Sequence, residues 1–424
     1  MKIDPASSHH LTYCTNIHPG ETWPEVFENL QTYVTALKQR LCPDEEFGVG
    51  LRLANAATHE LLQGNALAEF QTWLDRQGLY VFTLNGFPYG GFHHQVVKDR
   101  VYAPDWTDPD RLSYTLRLIK ILAILLPTDI EDGGISTLPL SYKPWRSDNL
   151  DSVFEQSCYQ LAQAVAKMAY LAQETGKVLH LDIEPEPDGL LENAAEVIAF
   201  FHQWLLPVGG SLLVRQGLTQ AQAEAWLREH VRVCYDTCHF AVEYEEPETA
   251  ITQLQSTGIQ IGKLQLSSAL RVSLPPDSNQ RRSLQSRLQP FAESTYLHQV
   301  SERHTDGTLH HFPDLITALP QLEHTSAQEW RTHFHVPIFL RDYRTLNSTQ
   351  DHIEAALRLL PDRLRCHHLE IETYTWDVLP AAMQIDLLAS IQREYEWVLK
   401  SLVPALTRPP TQSRSCKKPS FSTS

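Results

Sequence analysis

The chain has 424 residues, 42% of them hydrophobic, and a formal net charge of -16. That apolar content supports one large α/β barrel or two ordinary domains, while the acidic balance argues against nucleic-acid or anionic-membrane partners. Seven scattered cysteines without a CxxC pair suit reduced thiols, and neither an apolar leader nor 18 uninterrupted apolar residues occurs, so the expectation is a cytoplasmic protein with no membrane span.

Short β-rich runs alternate with longer helical patterns, the order of a (β/α)8 barrel. In chain order the predicted strands are His10 to Asn16, Gly48 to Leu53, Leu79 to Asn85, Ile135 to Tyr142, Val178 to Glu184, Val231 to Thr237, Gly262 to Leu266, His333 to Leu340 and His368 to Tyr374. Apolar residues spaced at three and four predict helices over Trp23 to Leu41, Asp110 to Leu126, Leu150 to Thr175, Thr219 to His230 and Asp351 to Leu360. Nine strands are one too many for a barrel of eight. A hairpin pattern, Tyr296 to Val300 and Leu309 to Phe312 around Thr305-Asp306-Gly307, marks an insertion of about 272–332 over the barrel mouth. The reading is a single domain over 1–407 and a Pro- and Ser-rich, disordered tail over 408–424.

In parallel barrels the strand C-termini carry the functional groups. The run His180-Leu181-Asp182-Ile183-Glu184 and the later His368-Leu369-Glu370-Ile371-Glu372 share a pattern and close on a carboxylate. With a period of two, Asp182 and Glu184 share a face, as do Glu370 and Glu372. Several inward acids repel one another unless a proton, a hydrogen bond or a cation intervenes. The strand through Cys234-Tyr235-Asp236-Thr237-Cys238-His239 ends in Asp-x-x-His, bringing carboxylate and imidazole to one point. That mixture suits Mn, Mg, Co or Zn. An ordinary helix-capping Asp beside a buried His reads equally from those residues. The Gly- and aromatic-rich segment Phe87 to His94 is either a lid over a ligand or an ordinary loop.

At these strand ends the chain resembles the xylose-isomerase-like barrels, a superfamily of sugar isomerases and epimerases, inosose dehydratases and endonuclease IV. The resemblance implies a metal held by Glu184, Asp236 and Glu372, with Glu184 and Glu372 as the catalytic pair. Where that superfamily shows a His followed six residues later by a substrate-binding Arg, this chain has Gln265 and Arg271. Gln265 is therefore the expected fourth ligand, with His335 or Glu370 as alternates, and Arg271, His239, His18 and Lys143 the expected substrate contacts.

Across nearly its whole length the chain is similar to the EboE family of metabolite traffic proteins, through YCTNIHPGETW, LNGFPYGGFHHQVVKDRVYAPDW, STLPLSYKPW, HLDIEPEPDG, CYDTCH, KLQLSSALR, FHVPIF and HLEIETYTW. This implies a divalent-metal-dependent isomerase or epimerase of a small polyhydroxylated metabolite, working beside other proteins of its pathway. The alternative is a non-catalytic carrier of such a metabolite in precursor export. Phosphodiester hydrolysis is disfavoured by the charge and by the lack of a His-rich cluster at the strand ends.

Overall fold

The computed structural model describes residues 1–3, 8–146, 148–343, 346–380 and 386–406. The tail expected over 408–424 lies outside them. Eight parallel strands form the barrel: β1 (His10–Tyr13), β2 (Phe47–Arg52), β3 (Leu79–Asn85), β4 (Asp132–Thr137), β5 (Val178–Ile183), β6 (Val231–Asp236), β7 (Ile261–Leu266) and β14 (His368–Ile371). Ladders run continuously from β2 through β7 to β14 and on to β1. Only the β1–β2 joint lacks a ladder. It is stitched by a Cys14–Gly50 bridge and by threonine hydroxyls: Thr12 Oγ1 donates to Gly48 O at 3.0 Å and accepts from Gly50 N at 2.7 Å, and Thr15 Oγ1 accepts from Arg52 N at 2.9 Å.

The strands alternate in an unusual sense. On β5, Leu179, Leu181 and Ile183 face outward to the helices, while His180 and Asp182 fill the barrel, and all five are buried. Polar groups thus occupy the layers that branched aliphatics usually fill in such barrels. In the middle layer Lys263 Nζ lies 2.6 Å from Glu370 Oε2 and 3.2 Å from Ser136 Oγ across the barrel, with both charged side chains fully buried. Glycines make the room: a Cβ at Gly50 would overlap Glu370, and one at Gly262 would overlap Asp182.

Six further strands, β8 (Ala269–Ser273), β9 (Val300–Arg303), β10 (Leu309–Phe312), β11 (Glu329–His335), β12 (Asp342–Tyr343) and β13 (Leu346–Ser348), form an antiparallel sheet ordered β10-β9-β11-β8-β13-β12. The ninth predicted strand is resolved here. The run predicted from His333 supplies the end of β11 and belongs to this sheet, because its residues are buried against the barrel mouth and read like a barrel strand. The sheet also reaches beyond the predicted 272–332 at both ends. The predicted hairpin forms as β9–β10, but its first arm begins at Val300, where the predicted one ended, pairing Val300 with Phe312 and Arg303 with Leu309 around Gly307, whose φ of +85° a glycine adopts without strain. Gln299 Nε2 donates to Pro187 O and Arg331 Nη1 to Ala241 O, which docks the sheet on the loop after β5 and the short helix after β6.

Helices cover the barrel outside. The segment Ala194–Arg215 is long and apolar enough to cross a membrane by length and composition, with a mean hydropathy of 1.6. Here it packs as a barrel helix, with Val197, Phe200, Phe201 and Leu205 buried.

Candidate metal centre

The C-terminal ends of β5, β6 and β14 bring Glu184, Asp236 and Glu372 together, with ligand oxygens mutually within 4.8 Å. Among the described residues no lysine or arginine forms an ion pair with them. Asp236 caps the following helix through Oδ1, which accepts from Cys238 N at 2.7 Å, His239 N at 3.0 Å and Ser267 Oγ at 2.5 Å. Its Oδ2 makes no hydrogen bond, and neither does Glu184 Oε2. The capping reading and the ligand reading of Asp236 therefore describe different oxygens of one carboxylate. Asn16 Nδ2 and Asn85 Nδ2 hold Glu372 Oε1 at 2.6 Å and 3.3 Å.

Three imidazoles face these acids with the same polarity. His335 Nδ1 donates to Glu372 O at 2.9 Å, His239 Nδ1 to Pro185 O at 3.1 Å, and His333 Nδ1 to Gln299 Oε1 at 2.9 Å. Each bond fixes the tautomer and turns an Nε2 lone pair inward. Asp236, His239 and His335 form one group of ligand atoms within 4.8 Å, and Glu186, His239 and His333 form another. His239 Nε2 stands 3.8 Å from Asp236 Oδ2, too far for a hydrogen bond and close enough to share a cation.

The electrostatics follow from crowding and burial. Burial first, then the charges of Glu372, Asp236 and Glu186, holds the Glu184 carboxyl well above its ordinary value. Burial, with Asp236 and Glu370 adding to it, pushes Glu372 up to about 8. Burial lowers His335 to about 4 and His333 and His239 below their ordinary value, so all three are neutral at pH 7 and able to ligate. The chemistry of the donor set, carboxylates and neutral imidazoles around unpartnered buried atoms, fits a divalent cation.

Above this floor is a cleft whose upper wall is aromatic. Phe87 and Phe92 come from the loop after β3, Tyr296 from the insertion and Tyr374 from the segment after β14. The loop is docked, since the Phe92 ring centroid lies 5.0 Å from that of Tyr296 and 5.4 Å from that of Tyr374. Lys98 is the one lysine or arginine among the described residues lining the cleft, and it is held by Tyr296 O and Asp314 Oδ2, each at 2.6 Å.

Not every residue singled out from the sequence reaches this place. Arg271 lies on β8 of the second sheet and pairs with Asp351 at 2.9 Å. Lys143 pairs with Glu192 and, at 3.1 Å, with Glu196. His18 is buried between Tyr13 and Tyr33. None of the three lines the cleft. Glu370 sits one layer lower, neutralised by Lys263. Gln265 is buried beside Glu372, whose carboxylate its side-chain amide helps to stabilise, with Cys234 Sγ 3.9 Å from its Oε1. His333, Glu186, Asn16 and Asn85 were not anticipated. The lack of a His-rich cluster, used above against hydrolysis, does not hold either, because β11 of the insertion delivers His333 and His335 from outside the barrel. Their His-x-His spacing, which places both rings on one face of a strand, was the available signal.

Barrel and centre together define a (β/α)8 protein with a buried carboxylate–imidazole floor beneath an inserted sheet. No protein-family model matches the sequence, and no curated protein matches it. Among solved structures the chain is similar to xylose isomerase-like barrels. One is the IolI protein with a bound zinc atom, at 9% identity and TM-score 0.46, covering 94% of this chain and 100% of that one. Another is a xylose isomerase-like TIM barrel protein from Mycobacterium smegmatis in complex with magnesium, at 11% and 0.48, covering 94% and 98%. A third is a xylose isomerase domain protein from Alicyclobacillus acidocaldarius, at 11% and 0.43, covering 93% and 99%.

Proposed function

We propose that this protein is a divalent-metal-dependent isomerase or epimerase of a small polyhydroxylated metabolite, of the metabolite-processing kind that the EboE resemblance implies. The observation that carries it is the convergence of the buried Glu184, Asp236 and Glu372, with Asp236 also meeting His239 and His335 in an adjoining group and, among the described residues, no lysine or arginine paired with any of them. A bound divalent cation would supply Lewis-acid polarisation of vicinal carbonyl and hydroxyl oxygens. Glu184, Asp236, Glu372 and His335 would hold it. His335 takes the role that the sequence assigned to Gln265, because its tautomer is fixed by Glu372 O and its free nitrogen joins the Asp236 group.

The residues of the chain would do the rest. Glu184 and Glu372 come from β5 and β14, strands that are not neighbours, and would flank the reacting carbon as the groups that remove and return its proton. His239 would hydrogen-bond a substrate hydroxyl, and the aromatic wall would exclude water. With Lys98 already engaged, the cleft offers an unphosphorylated metabolite a better fit than a sugar phosphate.

Metal titration tests the centre. Asp236→Asn and His335→Ala should each weaken uptake at least tenfold, whereas Gln265→Ala should not. Loss in Gln265→Ala alone would return the ligand role to Gln265. Solvent deuterium should enter the carbon next to the carbonyl of a bound metabolite, and Glu372→Gln should stop this. Thermal stabilisation by metabolites without exchange would favour the second reading, a carrier, which the glutamine in place of the superfamily's histidine supports.

A further inference from the structure

The opposite, N-terminal end of the barrel holds another carboxylate–imidazole cluster, with no part in the chemistry above. Asp132 opens β4, His180 lies on β5 and His368 opens β14. β4 and β14 stand on opposite walls of the ring, so these side chains meet across the barrel axis. Their ligand atoms all lie within 4.8 Å of one another. Asp132 Oδ2 is 3.6 Å from His180 Nε2, and Asp132 Oδ1 is 3.4 Å from His368 Nε2 and 3.7 Å from His367 Nδ1. These separations exceed the roughly 2.7–3.2 Å of an N–H···O bond. They suit the edge of a tetrahedral shell, about 3.3–3.6 Å when metal–ligand bonds are about 2.0–2.2 Å.

The tautomers agree. His180 Nδ1 donates to Asp182 Oδ1 at 2.6 Å, so a neutral His180 turns its Nε2 lone pair towards the Asp132 carboxylate. A buried imidazole lone pair thus faces a partly buried carboxylate, two acceptors that a cation between them would satisfy. A carboxylate behind a ligating imidazole is also the usual outer support of a zinc site. His368 is fully buried, and neither of its ring nitrogens makes a hydrogen bond. Two glycines seat the His180–Asp182 pair: a Cβ at Gly134 would stand 2.7 Å from His180 Cε1, and one at Gly262 2.8 Å from His180 Nδ1. Arg232 Nη1 donates to Asp132 Oδ2 at 3.0 Å, which leaves Oδ1 as the freer oxygen.

We propose that Asp132, His180 and His368 bind a zinc-type divalent cation at the N-terminal end of the barrel, with His367 closing the shell on the solvent side. Imidazoles with one carboxylate select Zn or Co over Mg or Ca. The ion ties β4 and β5 to β14 across the barrel.

Crystals of chelator-treated protein soaked in zinc should show an anomalous peak about 2.0–2.2 Å from His180 Nε2, His368 Nε2 and an Asp132 oxygen. No peak there, with His180 protonated at both nitrogens by 15N NMR, overturns the proposal. In solution, His180→Gln/His368→Gln should lower the Co(II) stoichiometry by one equivalent relative to wild type. An unchanged stoichiometry in the folded variant also overturns it. Should that variant not fold, His367→Ala, altered at the half-exposed rim, should weaken Co(II) binding about tenfold, and unaltered binding counts against the site. Asp236→Asn reports on the mouth centre alone, so failure of either centre is read separately.

Discussion

Replacing Lys263 with Met removes the one cation that faces Glu370 inside the barrel. Both side chains are fully buried, with Lys263 Nζ 2.6 Å from Glu370 Oε2, and Glu370 Oε1 has no hydrogen-bond partner among the described residues. Burial alone would lower the Lys263 ammonium, but the Glu370 carboxylate beside it holds it above its ordinary value. Breaking such a pair from one side leaves a stranded charge and costs about 3–5 kcal/mol. With about 2.1 cal/mol/K of unfolding entropy per residue, a chain of this length loses about 3–6 °C in Tm. The stranded carboxyl can escape only by taking up a proton, so the deficit should be larger at pH 8 than at pH 5. Lys263→Met/Glu370→Met, which removes both charges at similar volume, should recover most of the loss. Guanidinium unfolding followed by tryptophan fluorescence, with an unchanged m value, measures all three proteins. A single variant within about 1 kcal/mol of wild type, or a double variant as unstable as the single, refutes the view that a buried pair neutralises the middle of the barrel.

Three further outcomes are expected. Glu394 is buried and pushed up to about 8 by that burial, against an ordinary 4.5. Its contribution is present below about 4.5 and lost as the pH rises through about 8. Glu394→Gln keeps an acceptor for Thr373 Oγ1 and Ile338 N, so it should flatten the fall of Tm between pH 5 and 9 and stabilise the protein above pH 8. A Tm profile parallel to wild type would sink this. Asn16→Ala releases Glu372 Oε1 and should cost about 10–100-fold in metal affinity by calorimetric titration, with an unchanged Kd speaking against a positioning role. Arg271→Ala breaks a half-exposed pair with Asp351 and should change stability by about 1 kcal/mol or less, while leaving metal uptake intact. Loss of uptake would restore Arg271 to the centre.

Much of the barrel was legible because its strands carry their own punctuation. Leu79–Asn85 and Leu150–Thr175 match the predicted spans to the residue, and the remaining barrel strands differ mainly at their C-terminal ends, where the chain leaves the ladder to build the mouth. Ile135 to Tyr142 shows this: its ladder ends at Thr137, and Leu138 onward turns away. Helices such as Ala66–Gln77, Pro247–Ser256 and Leu387–Leu406 were passed over, their apolar stripes being short or shared with neighbouring runs. In the centre, Glu184, Asp236 and Glu372 stood out because each closes a strand and matches the superfamily resemblance, whereas a period of two alone leaves Asp182 and Glu370 on the same faces. His333 escaped because its place depends on how an insertion folds back over the barrel, which local periodicity does not encode. Arg271 misled for the same reason: its six-residue spacing from Gln265 is preserved, yet the chain crosses into another sheet at Ala269.

The β1–β2 joint has a consequence for how the molecule assembles. β1 has a backbone ladder on one side only, with β14, through pairs such as His10–His368 and Tyr13–Ile371. Its attachment therefore waits for a strand made more than 350 residues later, while β2 to β7 can pair with sequence neighbours as they appear. Closure of a contact so distant in sequence carries a large loop entropy and is slow. The ring should thus close late, and once closed, β1 should be the stave that loosens first. Native-state hydrogen exchange would show this as weaker protection of Leu11 and Thr12 than of Leu181 and Ile183.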